Sequence, residues 1–191
     1  AGMGAYSTTQ QARINRTKLF FEDRPAFMAQ IAKEITSAKK SATKNGLKLL
    51  IRLNGTSDIA WEKIRVGEYR NLFEMFPDVQ FYDYTKIVGR TVPENYHLTF
   101  SRSEINNEIA MDILSKGFNV AMVFDKLPDT YMGYKVINGD ETDLRFLDEQ
   151  NVIVGLKYKK MTGFGGAKKN IEAFTSGFVI ATEKKNIKLI A

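Results

Sequence analysis

Val120-Ala121-Met122-Val123-Phe124 is the stretch that decides the fold. Five consecutive apolar residues leave neither face of a strand for water. Such a strand sits at the centre of a parallel sheet covered on both sides. Just upstream, Ile105, Ile109, Ile113 and Leu114 recur at helical spacing, which predicts a helix over Glu104 to Lys116, with Gly117 as its stop. Upstream again, Tyr96 to Phe100 (YHLTF) reads as a second strand. The three pieces form a strand–helix–strand unit.

The same alternation continues outward. Val79 to Tyr84 (VQFYDY) and Leu47 to Leu53 (LKLLIRL) are strands. Between them Ser57 or Asp58 caps an expected helix that carries Ile59, Trp61 and Ile64, and later Leu72, Phe73 and Phe76. Gly67 interrupts that helix and Pro77-Asp78 closes the unit. Downstream, Tyr134 to Ile137 is a short strand, Asn138-Gly139-Asp140 a tight turn, Asp143 to Phe146 a single helical turn, and Val152 to Leu156 (VIVGL) the last core strand. The fold class expected is α/β: a mostly parallel sheet with helical crossovers, with a partial (β/α) barrel favoured over an open sheet. The domain covers 1–160. Residues 161–191 add a basic glycine-rich loop, with Lys168 and Lys169, and C-terminal strands at Phe178 to Ala181 and Ile187 to Ile190, packed on the same domain.

At the other end, residues 1–12 are small and polar and read as an irregular arm. Asp23 or Arg24, followed by Pro25, marks the start of a helix whose Phe27, Ile31, Ile35 and Ala38 face inward and which Asn45-Gly46 ends. Arg13, Arg16, Lys18 and Arg24 surround Leu19-Phe20-Phe21. This is either a nucleic-acid or anion surface, or a helix with Leu19 and Phe20 in the core and its cations in water. The 191 residues carry a net charge of +6, which favours an anionic small molecule or nucleic acid as partner, or serves solubility alone. The absence of cysteine excludes disulfides and thiolate metal sites, and no metal site is expected. No apolar run is long enough for a membrane span.

Polar groups collect directly after the strands. Arg52, Asn54, Thr56, Ser57 and Asp58 follow one; Asp83, Thr85 and Lys86 the next; Ser101 and Arg102 the third; Asp125 the fourth. The carboxyl ends of parallel strands face one rim, where α/β proteins bind ligands. Arg52 and Arg102 lie against apolar strands, where a cation needs a partner or a ligand. Asp58, Asp83, Asp125 and Asp143 are the candidate partners. These rim residues are the candidate ligand site; Arg13, Arg16, Lys18, Lys168 and Lys169 are the candidate nucleic-acid contacts. His97, within a strand, reads as a hydrogen-bonded core residue.

Several segments resemble phage and prophage proteins of the gene product eighty-eight type: Gln11-Ala12-Arg13-Ile14 through Phe21, Arg52 to Asp58, Phe76 to Lys86, Tyr96 to Ser101, and Val136 to Lys157. The resemblance brings no activity with it. It implies a cysteine-rich segment upstream of an Ala-Gly pair like Ala1-Gly2. The order of elements is remotely similar to the partial barrel of radical-SAM proteins, with Thr85, Lys86 and Arg90 at a strand end and the Asn54-to-Asp58 turn where that fold grips its cofactor. That likeness implies S-adenosylmethionine as ligand, and an iron–sulfur cluster only with an upstream cysteine segment. The function expected is therefore a phage protein binding an anionic or nucleotide-like ligand at the strand rim. The alternatives are a non-enzymatic nucleic-acid-binding protein or a structural virion component. The cytoplasm of an infected cell, or the virion, is the expected location.

Overall fold

The computed structural model describes residues 7–163 and 165–182. The chain divides into two compact units, Ala1–Asp83 with Val88–His97, and Tyr84–Ile87 with Leu98–Ala191.

The first unit opens with two helices, α1 (Ser7–Glu22) and α2 (Arg24–Lys44). Asp23 breaks them apart and caps the second: its side chain accepts the Ala26 N–H, with Pro25 in the first turn. Met28, Ala32 and Ile35 form the buried stripe of α2, flanked by half-buried Phe27, Ile31 and Ala38. Gly46, at φ +66°, adopts the left-handed conformation that ends the helix. Phe20 of α1 packs its ring 5.4 Å from Phe27 and 5.9 Å from Trp61. β1 (Leu50–Ile51) is only two residues long, and Leu47 is exposed rather than part of the strand. Strand β2 (Gln80–Thr85) runs parallel to β1, with Leu50 opposite Gln80. Its side chains alternate, so Phe81, Asp83 and Thr85 point inward.

No long helix joins β1 to β2. The chain makes a 3₁₀ turn at Trp61–Lys63, a bridge between Val66 and Tyr69, and a four-residue helix α3 (Leu72–Met75). This corrects the expected capped helix. Its apolar residues are there, and Trp61, Leu72, Phe73 and Phe76 are buried. They are buried from a 3₁₀ turn and the short α3 with its C-cap instead of one continuous helix, because Ser57 turns its hydroxyl back to Asn54 instead of capping, and Gly67, at φ +55°, breaks the helical path.

The second unit is built on β4 (Val120–Phe124). β3 (Tyr96–Ser101) enters it, and α4 (Asn107–Ser115) connects β3 to β4. β5 (Thr130–Tyr131) and β6 (Tyr134–Asn138) form an antiparallel hairpin, with Met132 and Gly133 both at positive φ as a two-residue turn of this twist requires. β7 (Ile153–Lys157), α5 (Gly166–Thr175) and β8 (Val179–Ile180) complete it. β3, β7 and β8 all run parallel to β4, and β6 runs parallel to β7. Among the described residues the strand order is β1-β2-β3-β4-β7-β6-β5 with β8 beside β4: a mostly parallel, eight-stranded sheet that is not closed. Val120, Met122, Phe124, Ile153, Ala110 and Leu114 are completely buried together, as the apolar run requires. A Cβ at Gly155 would lie 2.6 Å from Val136 Cγ1 and 2.8 Å from Leu127 Cδ2, so a larger residue there forces those side chains to shift.

Three local expectations are corrected. Residues 7–12 belong to α1 rather than to an arm. The inner face of α4 is Ala110 and Leu114, which leaves Ile105 and Ile109 exposed; the helix starts two residues after Ile105, so Ile105 is not on it. Residues Gly166–Thr175 are helical, so Lys168 and Lys169 ride on α5 and not on a loop. The expected strand at Ile187 to Ile190 lies outside the described residues.

Candidate functional site

The inward alternation of β2 puts Asp83 at zero exposure. A buried carboxylate needs partners. Oδ1 accepts the Asn54 N–H at 2.8 Å, Oδ2 accepts the Tyr96 O–H at 3.0 Å, and Arg52 Nε lies 3.9 Å from Oδ1. Burial still holds the Asp83 carboxyl above the ordinary carboxylate range, against the lowering effect of those contacts. Burial, and then the charge of Asp83, push the Tyr96 hydroxyl up as well.

Asn54 organises the loop that follows β1. Its Oδ1 accepts from Ser57 Oγ, the Ile59 N–H and Trp61 Nε1, and its Nδ2 donates to the Ile59 carbonyl. Those bonds hold its amide within the loop. Asp58 pairs with Arg90 at 3.3 Å. Arg90 is the centre of a second buried cluster: Nε and Nη2 grip the two oxygens of Glu62 at 3.0 and 2.6 Å, and Nη2 reaches Tyr96 Oη at 3.4 Å. Burial alone would lower the Arg90 pKa; the bonds to Glu62 and Tyr96 outweigh it and hold the pKa above its ordinary value. Thr56 stays exposed at the tip of the turn.

Asp83 and Tyr96 are shut away from any ligand, but Arg52 is not. Its side chain keeps 28% exposure and lines a cavity of about 410 Å³ between α1, α2 and the carboxyl end of β1. That volume falls in the range of small-molecule sites. Arg16 of α1 lines the same cavity and makes no hydrogen bond or ion pair with another described residue. The aromatic wall is Phe27 and Trp61, near-parallel with ring centroids 6.4 Å apart. Gln30 and Glu34, one turn apart on α2, also line it. The cavity thus combines two guanidiniums, aromatic surface and one carboxylate. It has the equipment for binding and no exposed acid–base pair from the Asp83 cluster.

The remaining rim candidates lie in the second unit. Arg102 donates to the carbonyls of Gly177 and Phe178 at 2.8 and 3.1 Å, and to Asn107 at 2.8 Å. Burial lowers its pKa. Asp125 holds the other end of the same segment: its Oδ1 accepts from the N–H and the hydroxyl of Thr182, both at 3.0 Å, and its own N–H donates to the Ile180 carbonyl. The two residues clamp β8 onto β4 at the fork where β3 leaves it. Thr85 is buried and accepts the Ile87 N–H, Lys86 is exposed, and Ser101 is half-buried at the end of β3.

Of the nucleic-acid candidates, helical geometry puts Arg13 and Arg16 on one face of α1 and Lys18 nearly opposite. Lys168 pairs with Glu172 at 3.8 Å on α5. His97 is half-buried in β3. Sequence reading missed Glu62 and Tyr96, whose only signal was their type, and the Gln30–Glu34 pair. The latter was legible in principle, as polar residues one turn apart at the edge of an apolar stripe. It also missed Asn95, whose Nδ2 donates to the carbonyls of Phe73, Phe76 and Val79 and ties off α3.

Among the described residues no three His, Cys, Asp or Glu side chains are grouped to hold a metal, and no helix is long and apolar enough to cross a membrane. No curated protein and no solved structure matches the chain. A family model described as Gene product 88 matches residues 1–180, and the segments that resembled that phage family all lie within the match; the chain belongs to the Gene product 88 family.

Proposed function

We propose that this phage-family protein binds an anionic, nucleotide-like ligand in the cavity between α1, α2 and the end of β1. One observation carries the reading: Arg16, with no partner among the described residues, and Arg52, braced from behind by Asp83, line one cavity beside an aromatic wall. Arg52 follows a parallel strand, the position at which α/β folds take ligands. In this reading the sheet is a partial barrel, and the two guanidiniums hold phosphate oxygens by charge-assisted hydrogen bonds. Asn54, Arg102 and Asp125 are given no ligand contact, because their side chains are engaged within the fold.

The test is calorimetric titration at low ionic strength with inorganic phosphate, nucleoside monophosphates and S-adenosylmethionine. Single-site binding of a phosphate-bearing ligand is expected. Arg16→Ala should weaken it roughly tenfold or more, the scale of a lost hydrogen bond to a charged group. Absence of binding by every ligand, or affinity unchanged in both Arg16→Ala and Arg52→Ala, overturns the reading. Non-enzymatic nucleic-acid binding is a second reading, favoured by the exposed Lys168 and Lys169 in the first turn of α5. It requires a gel shift on random DNA that weakens steeply with salt.

A further inference from the structure

We propose that the nucleobase taken by this cavity is guanine, recognised by Glu34. The proposal rests on the reading of the cavity as a nucleotide site. A pocket shaped for a plain anion has no use for a carboxylate, which would repel its ligand. Yet Glu34 lines the cavity together with Arg16 and Arg52. Its place there fits a ligand that is anionic at one end and rich in hydrogen-bond donors at another.

Among nucleobases, the Watson–Crick edge of guanine meets that requirement. It presents a ring N–H and an amino group side by side, two donors for the two oxygens of one carboxylate. Adenine and cytosine each place one amino donor beside a ring-nitrogen acceptor, which would face a carboxylate lone pair. Uracil and thymine place a single N–H between two carbonyls. The rest of the wall suits a base as well. Gln30 Nε2 donates to Glu34 Oε1 at 3.0 Å and holds the carboxylate in one orientation, leaving Oε2 and a lone pair of Oε1 for a ligand. Phe27, two helical turns before Glu34, adds aromatic surface on which a purine can stack.

The experiment compares GMP, IMP, AMP, CMP and inorganic phosphate by calorimetry on the full chain and on Glu34→Gln. Glu34 is exposed on α2, so the variant keeps the core intact. GMP is expected to bind at least tenfold more tightly than AMP or CMP. IMP, which keeps the ring N–H and lacks the amino group, should fall between. In Glu34→Gln the GMP affinity should drop tenfold or more and the AMP affinity should rise, because an amide offers one acceptor and one donor to the adenine edge. Equal affinities for all nucleotides, tightest binding of AMP or CMP, or a guanine preference that survives Glu34→Gln overturns the guanine assignment and leaves the anion site standing. Binding of none of the five overturns both.

Discussion

The two units reach their cores by different routes. The second is organised by a strand whose side chains are apolar throughout: Val120, Met122 and Phe124 are fully buried against Ile153, Ala110 and Leu114. The first has a two-residue strand, a four-residue helix and a long irregular connection. It is held by buried polar groups: Asp83 with Asn54 and Tyr96, and Arg90 with Glu62 and Asp58. Apolar burial is non-directional and fixes a sheet easily. Loops need directional bonds to take one path. The first unit, whose loops are held by such bonds, also presents a shaped, charged cavity.

The largest effect expected on this contrast is at Arg90. Arg90→Ala leaves Glu62 buried without its partner and should cost about 3–5 kcal/mol in urea unfolding. Replacing Arg90 and Glu62 together by Met and Leu should recover most of that loss. If Arg90→Ala costs under about 1 kcal/mol, the ionic cluster does not hold the first unit. Next is Gly155→Ala in the second unit. The added methyl would overlap Val136 and Leu127 and should cost about 1–3 kcal/mol. A neutral outcome there would mean that the sheet core is looser than its burial implies. Gly46→Ala, which forces a side chain into left-handed backbone in open surroundings, should cost about 1 kcal/mol by thermal unfolding, with no change in ligand affinity.

The smallest effect concerns pH. The Asp83 carboxyl is raised above its ordinary value of 3.8 by burial. Between that value and its folded pKa the native state binds more protons than the unfolded chain, so this group's contribution to stability falls as pH rises through the window. Asp140 acts in the opposite sense: the Lys157 N–H holds its carboxyl low, and its contribution is lost as pH falls. The Asp83→Asn variant minus wild type isolates the first. The variant should gain stability relative to wild type as pH rises from acid toward neutrality. A difference that is flat or of opposite sign would show that burial does not raise the Asp83 carboxyl.

The same contrast explains what could be read from the sequence. The sheet of the second unit announces itself in VAMVF and VIVGL because an apolar run has few other uses. Helix α2 was legible from Asp23-Arg24-Pro25 to Asn45-Gly46, both local signals that the structure keeps. Residues 59–76 were not legible. Their apolar spacing is compatible with a helix, and the outcome depends on Asn54 and Asn95 reaching across sequence to carbonyls and N–H groups that no local pattern reveals. Ile105 misled because its periodicity with Ile109 ignores where the chain leaves Ser103. At the rim, position after a strand was a sound guide to polar residues and a poor guide to their use. Arg52 faces a cavity, whereas Arg102, with the same local context, is engaged by the carbonyls before β8.

The most direct test is a crystal structure grown with saturating GMP. The account predicts phosphate density against the guanidiniums of Arg16 and Arg52, with the base edge at Glu34 and its plane near Phe27. Density for the nucleotide at any other surface, or a cavity left without it under saturating conditions, would contradict the account.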